Sequence, residues 1–279
     1  MFRCRLFKNS GARLGAGIVL LFILVGLFAP WLAPSDPLQI HLEHKLGMPS
    51  WDYPLGTDHL GRCVLSRLIY GTRTTLYYSF MVLVVVFAIS IPVGLLAGYA
   101  GGKIDHLIMR AIDILLAFPS LILSLAITAM LGPSMKNLFI SFAAVWWTGY
   151  ARVIRSMVLQ IKESDYIMAA KAAGTSHVQI VLRHILLNAA RPILVLASME
   201  IGTIMLSIAG LSFLGLGAQP PTPEWGIMLN DSRPYIQTEP RLLLFPGLTI
   251  MLVVLGFNLL GESLRGSEHD LNTGRKGES

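Results

Sequence analysis

The sequence predicts an all-α, polytopic membrane protein with about six transmembrane helices. Three observations predict it. Hydrophobic residues make up 54% of the 279-residue chain. Charged residues make up only 14%, against roughly a quarter in soluble domains. The apolar residues also gather into charge-poor runs, separated by basic or Pro/Gly-rich segments.

Each run can be justified by length, since about 20 apolar residues at ~1.5 Å each cross the hydrocarbon core. The candidate spans are 14–33, 76–100, 114–131, 138–151, 192–217 and 242–261. The fourth is short, and the fifth is interrupted only by Glu200. Arg3, Arg5, Lys8 and Arg13 precede the first run as they would a signal peptide. That run is too long for one, and Phe28-Ala29-Pro30-Trp31 offers no Ala-x-Ala cleavage site, so a retained helix is expected. Pro92, Pro119 and Pro246 lie within spans and are expected to kink them.

Basic residues orient the chain. With the N-terminus inside, 15 of the 22 Lys and Arg residues fall on inner segments and 7 on outer ones. Both termini are therefore expected in the cytoplasm. The chain divides into a tail, first span and outer loop (1–75), a five-span core (76–265) with an inner loop at 161–187, and a cytoplasmic tail (266–279). Cys4 and Cys63 then lie on opposite sides and form no disulfide framework. The net charge of +6 is dispersed between apolar blocks, which excludes a nucleic-acid surface.

The outer segments, 34–75 and 218–241, are rich in Pro, Gly and polar residues. The inner loop is different. Tyr166 to Ala173 favours helix and stops at Gly174, a natural C-terminus. Thr175 or Ser176 can cap a second helix through Leu187. Ala169, Ala170, Ala172 and Ala173 leave little bulk, so another protein can approach closely. The whole connector, 152–191, exceeds what bridging two spans requires. The competing reading is a helix lying in the membrane interface.

Enzyme classes find no support. The chain has no His-Glu-x-x-His, no Gly-x-Ser-x-Gly and no clustered acids or cysteines. Its nearest phosphate-loop-like stretch, 97–104, lacks the first glycine and the Ser or Thr that meets magnesium. His41, His44 and His59 match no metal spacing and read as solvated loop residues.

Met168-Ala-Ala-x-x-x-Gly174, followed by His184-Ile-Leu-Leu187, resembles the EAA loop of binding-protein-dependent ABC importer permeases. Met168 stands where glutamate is common and Leu187 where proline is common. Leu55-Gly-Thr-Asp-His-Leu-Gly-Arg62 with Ser66-Arg67, Met109-Arg-Ala-Ile-Asp113 with Phe118-Pro119, and Leu211-Ser-Phe-Leu-Gly-Leu-Gly217 with Pro221-Thr-Pro-Glu-Trp-Gly226 resemble the peptide and nickel group. Cys63 replaces an aspartate usual there. The resemblance spans about residues 12 to 265, and its outer motifs with Asn230-Asp-Ser-Arg233 look closest to nickel-type members.

The resemblance implies a multi-pass inner-membrane permease subunit that is not itself an enzyme. It implies a second homologous permease subunit, two ATPase subunits that bind ATP and Mg, an extracytoplasmic binding protein, and no cofactor or metal on this chain. Tyr166, Met168, Ala169, Ala170, Lys171, Gly174 and His177 are the expected ATPase-coupling residues. Asp58, Trp225, Asn230 and Asp231 are expected at the binding-protein face. Glu200 and Asn258 either face the translocation path or hydrogen-bond between helices. Asp113 is expected to pair with Arg110 one turn away, and Trp146, Trp147 and Tyr150 to anchor at a membrane interface. The substrate is a nickel or metal chelate, or a di- or oligopeptide. An ion-coupled secondary transporter is the rival reading, against which stands the absence of inverted repeats.

Overall fold

The computed structural model describes residues 10–276, with side chains through Arg265. Arg3, Arg5, Lys8 and Cys4 lie outside the described residues. Regular structure is helical apart from an isolated bridge between Thr57 and Cys63. The principal helices are α1 (Ser10–Leu27), α2 (Val64–Ala100), α3 (Gly102–Leu116), α4 (Ser120–Leu131) and α5 (Met135–Val145). They continue with α6 (Trp147–Lys162), α7 (Asp165–Ala172), α8 (Leu186–Phe213), α9 (Trp225–Ser232) and α10 (Arg241–Lys276).

Among the described residues, four helices are long and apolar enough to cross a membrane singly: α1, α2, the helix His177–Phe213 that ends in α8, and α10 through Arg265. The third expected span is divided into α3 and α4, bent by 76°. Pro119 caps α4 at that break, where its missing N–H cannot continue a helix. The run expected at 138–151 straddles the α5–α6 junction, and its two helices have 11 and 16 residues. Trp146 between them keeps helical torsions, and its N–H donates to the Phe142 carbonyl at 2.9 Å.

Two boundaries differ from the sequence expectation. α2 starts at Val64, so 64–75 is helix and not outer loop. Its polar residues find partners there: Thr72 Oγ1 donates to the Leu68 carbonyl at 3.0 Å, and Thr75 Oγ1 to Glu224 at 3.4 Å. The helix that carries the fifth expected span begins at His177, because the second half of the inner loop runs into it without a break.

Lipid offers helices little hydrophobic reason to associate, so close backbone approach has to supply contact. Glycines permit it here. A Cβ on Gly94 would lie 2.8 Å from the Ala151 carbonyl and Ile154 of α6, and one on Gly98 2.8 Å from Val158. Ala151, Ile154 and Val158 are completely buried by this contact. Gly15 and Gly256 do the same between α1 and α10, where a Cβ would come within 2.8 Å of Gly256 and 2.7 Å of Ile18 respectively.

α3 is held to α6 by charge. Arg155 pairs with the buried Asp105 at 2.5 Å, which holds that carboxyl below the usual range through the hydrogen bond to Arg155. Asp113 pairs with Arg152 of α6. This corrects the expected pairing with Arg110, since the α3–α6 packing brings a better-placed cation. Trp146, Trp147 and Tyr150 are half-buried against the core and not free interface anchors.

Gly98→Ala is expected to lower stability in detergent by about 1–3 kcal/mol, the scale of overpacking a close contact. Gly17→Ala, whose Cβ would meet nothing within 4 Å, is expected to be neutral or slightly stabilising. Thermal unfolding of the two purified variants checks this.

Candidate functional site: an inner helical element and an outer charge cluster

The inner element is the helix–turn–helix that the alanines and glycine predict. α7 starts after Ser164 and ends at Ala173, and Gly174 follows with φ +78°. Its N–H donates to the Lys171 carbonyl at 3.0 Å, and that of Thr175 to Ala170 at 3.1 Å, closing the turn. Ser176 caps the next helix by accepting from the Gln179 N–H. A π-helical turn, Ile180–Ile185, then leads into α8.

One face of this element is seated and the other is open. Ile167, Ile180 and Ile185 are completely buried in the cluster that contains Leu95 and Val158. Tyr166, Met168, Ala169, Lys171 and Gly174 are exposed, and Ala170 is half-buried. His177 is exposed, but its Nδ1 lies 2.6 Å from the Tyr99 hydroxyl. Lys162 Nζ donates to the Tyr99 carbonyl at 2.7 Å. The inner end of α2 therefore holds both sides of the element, a link with no local signal in the sequence.

The outer motif folds around Asp58. Its Oδ1 accepts from the Leu60 and Arg62 N–H groups at 2.9 and 3.0 Å, and its Oδ2 from Arg62 Nε at 2.7 Å. Gly61, at φ +75°, passes so close to His41 that a Cβ would lie 1.8 Å from its carbonyl oxygen. Arg67 from α2 reaches the same carboxylate at 3.6 Å. Asp231 from α9 completes the cluster, 3.4 Å from Arg62 and 3.8 Å from Arg67. Both arginines are 2% exposed.

Trp225 is completely buried. Its Nε1 donates to the Leu68 carbonyl at 3.1 Å, and its ring meets Phe22 edge-on. It fits against Gly71, where a Cβ would lie 2.8 Å from the indole. The preceding Glu224 caps α9, accepting from Gly226 and Ile227 at 2.9 and 3.0 Å. Burial raises the Glu224 carboxyl, against the opposing pull of these backbone donors. Trp225 and Asp58, both expected at the binding-protein face, are buried beneath the surface of this region. Asp231 is partly exposed, and Asn230 donates from Nδ2 to the Phe213 carbonyl at 2.9 Å.

Glu200 accepts a hydrogen bond from the Tyr150 hydroxyl at 2.9 Å, so of its two expected roles the structure displays the interhelical tie. Asn258 is exposed on α10 beside Gly202 of α8. The structure does not bring it to Glu200. The glycines Gly94 and Gly98 escaped sequence reasoning, although their four-residue spacing is the small-residue signature of helix contact.

Asp58→Asn leaves two buried arginines facing one carboxylate, and is expected to cost ~3–5 kcal/mol in unfolding experiments. His59 supplies a pH dependence. It is half-buried, stacked on Tyr235 at 5.8 Å, and burial lowers its pKa from 6.5 despite Asp58 and Asp231 nearby. The unfolded chain then binds the proton more readily. Stability from this site is present above about pH 6.5 and is lost as pH falls toward the folded value. His59→Gln should flatten that part of a stability-versus-pH profile.

Comparison with known proteins matches this architecture. Residues 90–266 match the family model described as the binding-protein-dependent transport system inner membrane component. Residues 1–49 match the N-terminal TM domain of oligopeptide transport permease C. The dipeptide transport system permease protein DppC of Alkalihalophilus pseudofirmus is 46% identical over 261 residues, covering 94% of this chain and 86% of that one. The nickel transport system permease protein NikC of Escherichia coli is 40% identical over 93% of this chain and 94% of its own length. The metal-staphylopine import system permease protein CntC of Staphylococcus aureus is 40% identical over 94% of this chain and 90% of its own. Among solved structures, the inward-facing MetNI methionine ABC transporter shares the fold, with a TM-score of 0.57 over 72% of this chain and 96% of that chain at 19% identity. With a helical membrane architecture and family matches along its length, this chain belongs to the inner-membrane permease components of binding-protein-dependent ABC importers, in the peptide and nickel group.

Proposed function

We propose that this permease subunit carries small peptides inward, driven by ATPase subunits that dock on the exposed face of α7. The observation that supports the docking reading most is the asymmetry of the inner element. Its isoleucines are buried, while Tyr166, Met168 and Ala169 face outward. Membership in the importer family sets aside the ion-coupled secondary carrier.

In this reading both termini are cytoplasmic, and α5 with α6 forms the fourth of six spans. A homologous permease pairs with this chain, and two ATPases bind beneath with ATP and Mg on those subunits. Tyr166, Met168, Ala169, Ala170, Lys171 and Gly174 meet the ATPase groove, with His177 anchoring the element to α2. A binding protein delivers substrate to the outer face, where Asn230 and Asp231 are accessible and Asp58 and Trp225 hold the shape. ATPase closure pushes α7, and α6 and α8 carry the displacement into the membrane. Glu200 with Tyr150, and Asn258, sit where α6, α8 and α10 would shift against one another.

Peptides are preferred to nickel because two of the motifs that favoured nickel, 55–62 and 224–226, are largely internal. Asp58, Gly61 and Arg62 are consumed in the outer charge cluster, where they select no substrate. The second reading, a nickel or metal chelate, is favoured by relatives named for nickel and metal-staphylopine transport.

Co-purification tests the docking. Ala169→Trp, a bulky change on the exposed face, should lower retained ATPase about tenfold, the scale of a central interface contact. Gly174→Asp should do likewise by straining the positive-φ turn. Retention of ATPase by both variants would refute the docking surface. Proteoliposomes holding the full complex and its binding protein should take up a labelled dipeptide in an ATP-dependent manner. Uptake of a nickel chelate instead would establish the second reading.

A further inference from the structure

Between α1 and α2, toward their outer ends, lies a cleft of about 490 Å³. Ile23 and Leu27 of α1 form one wall, and Leu76 and Phe80 of α2 the other. Phe257 of α10 lines it as well. α1 and α2 are in contact at the top, where a Cβ on Gly26 would lie at an ordinary contact distance of 3.5 Å from the Arg73 Cα. The lining is almost wholly apolar, and Arg73 is the charged group among the lining residues.

Arg73 is exposed, and no ion pair or hydrogen bond holds its guanidinium among the described residues. Its position in the sequence explains its level in the membrane. Thr72, Arg73, Thr74 and Thr75 are polar, and the charge-free apolar stretch of α2 begins at Leu76. The cation therefore stands at the rim of the hydrocarbon region with the apolar cleft below it. Tyr77, one turn deeper, and Trp31, 79% exposed beyond the end of α1, mark the same boundary with aromatic side chains.

We propose that this cleft is a binding site for one anionic phospholipid. Its phosphate meets the Arg73 guanidinium, whose planar fork suits two phosphate oxygens. One acyl chain lies along Ile23, Leu27, Leu76 and Phe80, removing apolar surface from the headgroup region. A zwitterionic lipid brings its own ammonium to the phosphate and gains less from Arg73. A peptide fits worse, because the apolar walls leave its amides without partners. The topology proposed above decides only which leaflet supplies the lipid, not the site's chemistry.

The test uses the intact importer complex in nanodiscs containing both phosphatidylglycerol and phosphatidylethanolamine, followed by native mass spectrometry of the released complex. Wild type should retain phosphatidylglycerol in preference to phosphatidylethanolamine. Arg73→Gln should lower that retention about fivefold, the effect of one basic residue at an anionic surface. Leu27→Trp, which fills the cleft, should lower it similarly, while Lys136→Gln, an exposed outer cation elsewhere, should not. Unchanged melting temperatures show that the variants remain folded. Equal retention by wild type and Arg73→Gln overturns the site, as does equal retention of both lipids by wild type. Efficient cross-linking of Tyr77→Cys to the second permease subunit also overturns it, since protein would then fill the cleft.

Discussion

The approach of α2 to α6 at Gly94 and Gly98 positions the helical element that α7 opens. Within a bilayer, backbone groups must be satisfied inside each helix, and helices gain little by merely leaving lipid. Contact must come from surfaces that fit at short range. Two missing side chains on α2 admit Ala151, Ile154 and Val158 of α6, and all three lose their exposure. From there α6 runs to Lys162, which donates back to Tyr99 on α2, and the chain turns directly into α7. The inner element thus inherits its position from a contact two turns and more above it.

α2 also links the two faces of the molecule. Its 37 residues span about 55 Å at ~1.5 Å per residue. At the outer end Arg67 enters the charge cluster and Thr75 meets the cap of α9. At the inner end Tyr99 meets His177. A single helix with specific polar contacts at both ends suits a transporter that must relate events on opposite sides of a membrane. The connection at that end is made by one hydroxyl, one ammonium and the buried isoleucines.

The outer cluster is best understood as a device for register. Burying Asp58, Arg62, Arg67 and Asp231 together costs desolvation that their mutual attraction only partly offsets. What the arrangement supplies is mutual exclusion of wrong partners, because any displacement of α9 or the 58–62 turn strands a charge. Trp225 and Glu224 add an apolar plug and a buried cap at the same junction.

Much of this was legible in the residues themselves. Hydropathy located the apolar runs, because crossing lipid demands a local property that no distant contact can replace. The alanines, Gly174 and Ser176 announced the inner element through helix propensity, positive φ and capping, which are also local. Tertiary structure alone decided the rest. It extended α2 back to Val64, because Thr75 is satisfied by a partner 149 residues away. It gave Asp113 to Arg152 and not to Arg110, and it enclosed Trp225 against Gly71. Each of these outcomes depends on which helix faces which, and in this chain that was set by glycines and buried charges whose partners lie far away in sequence.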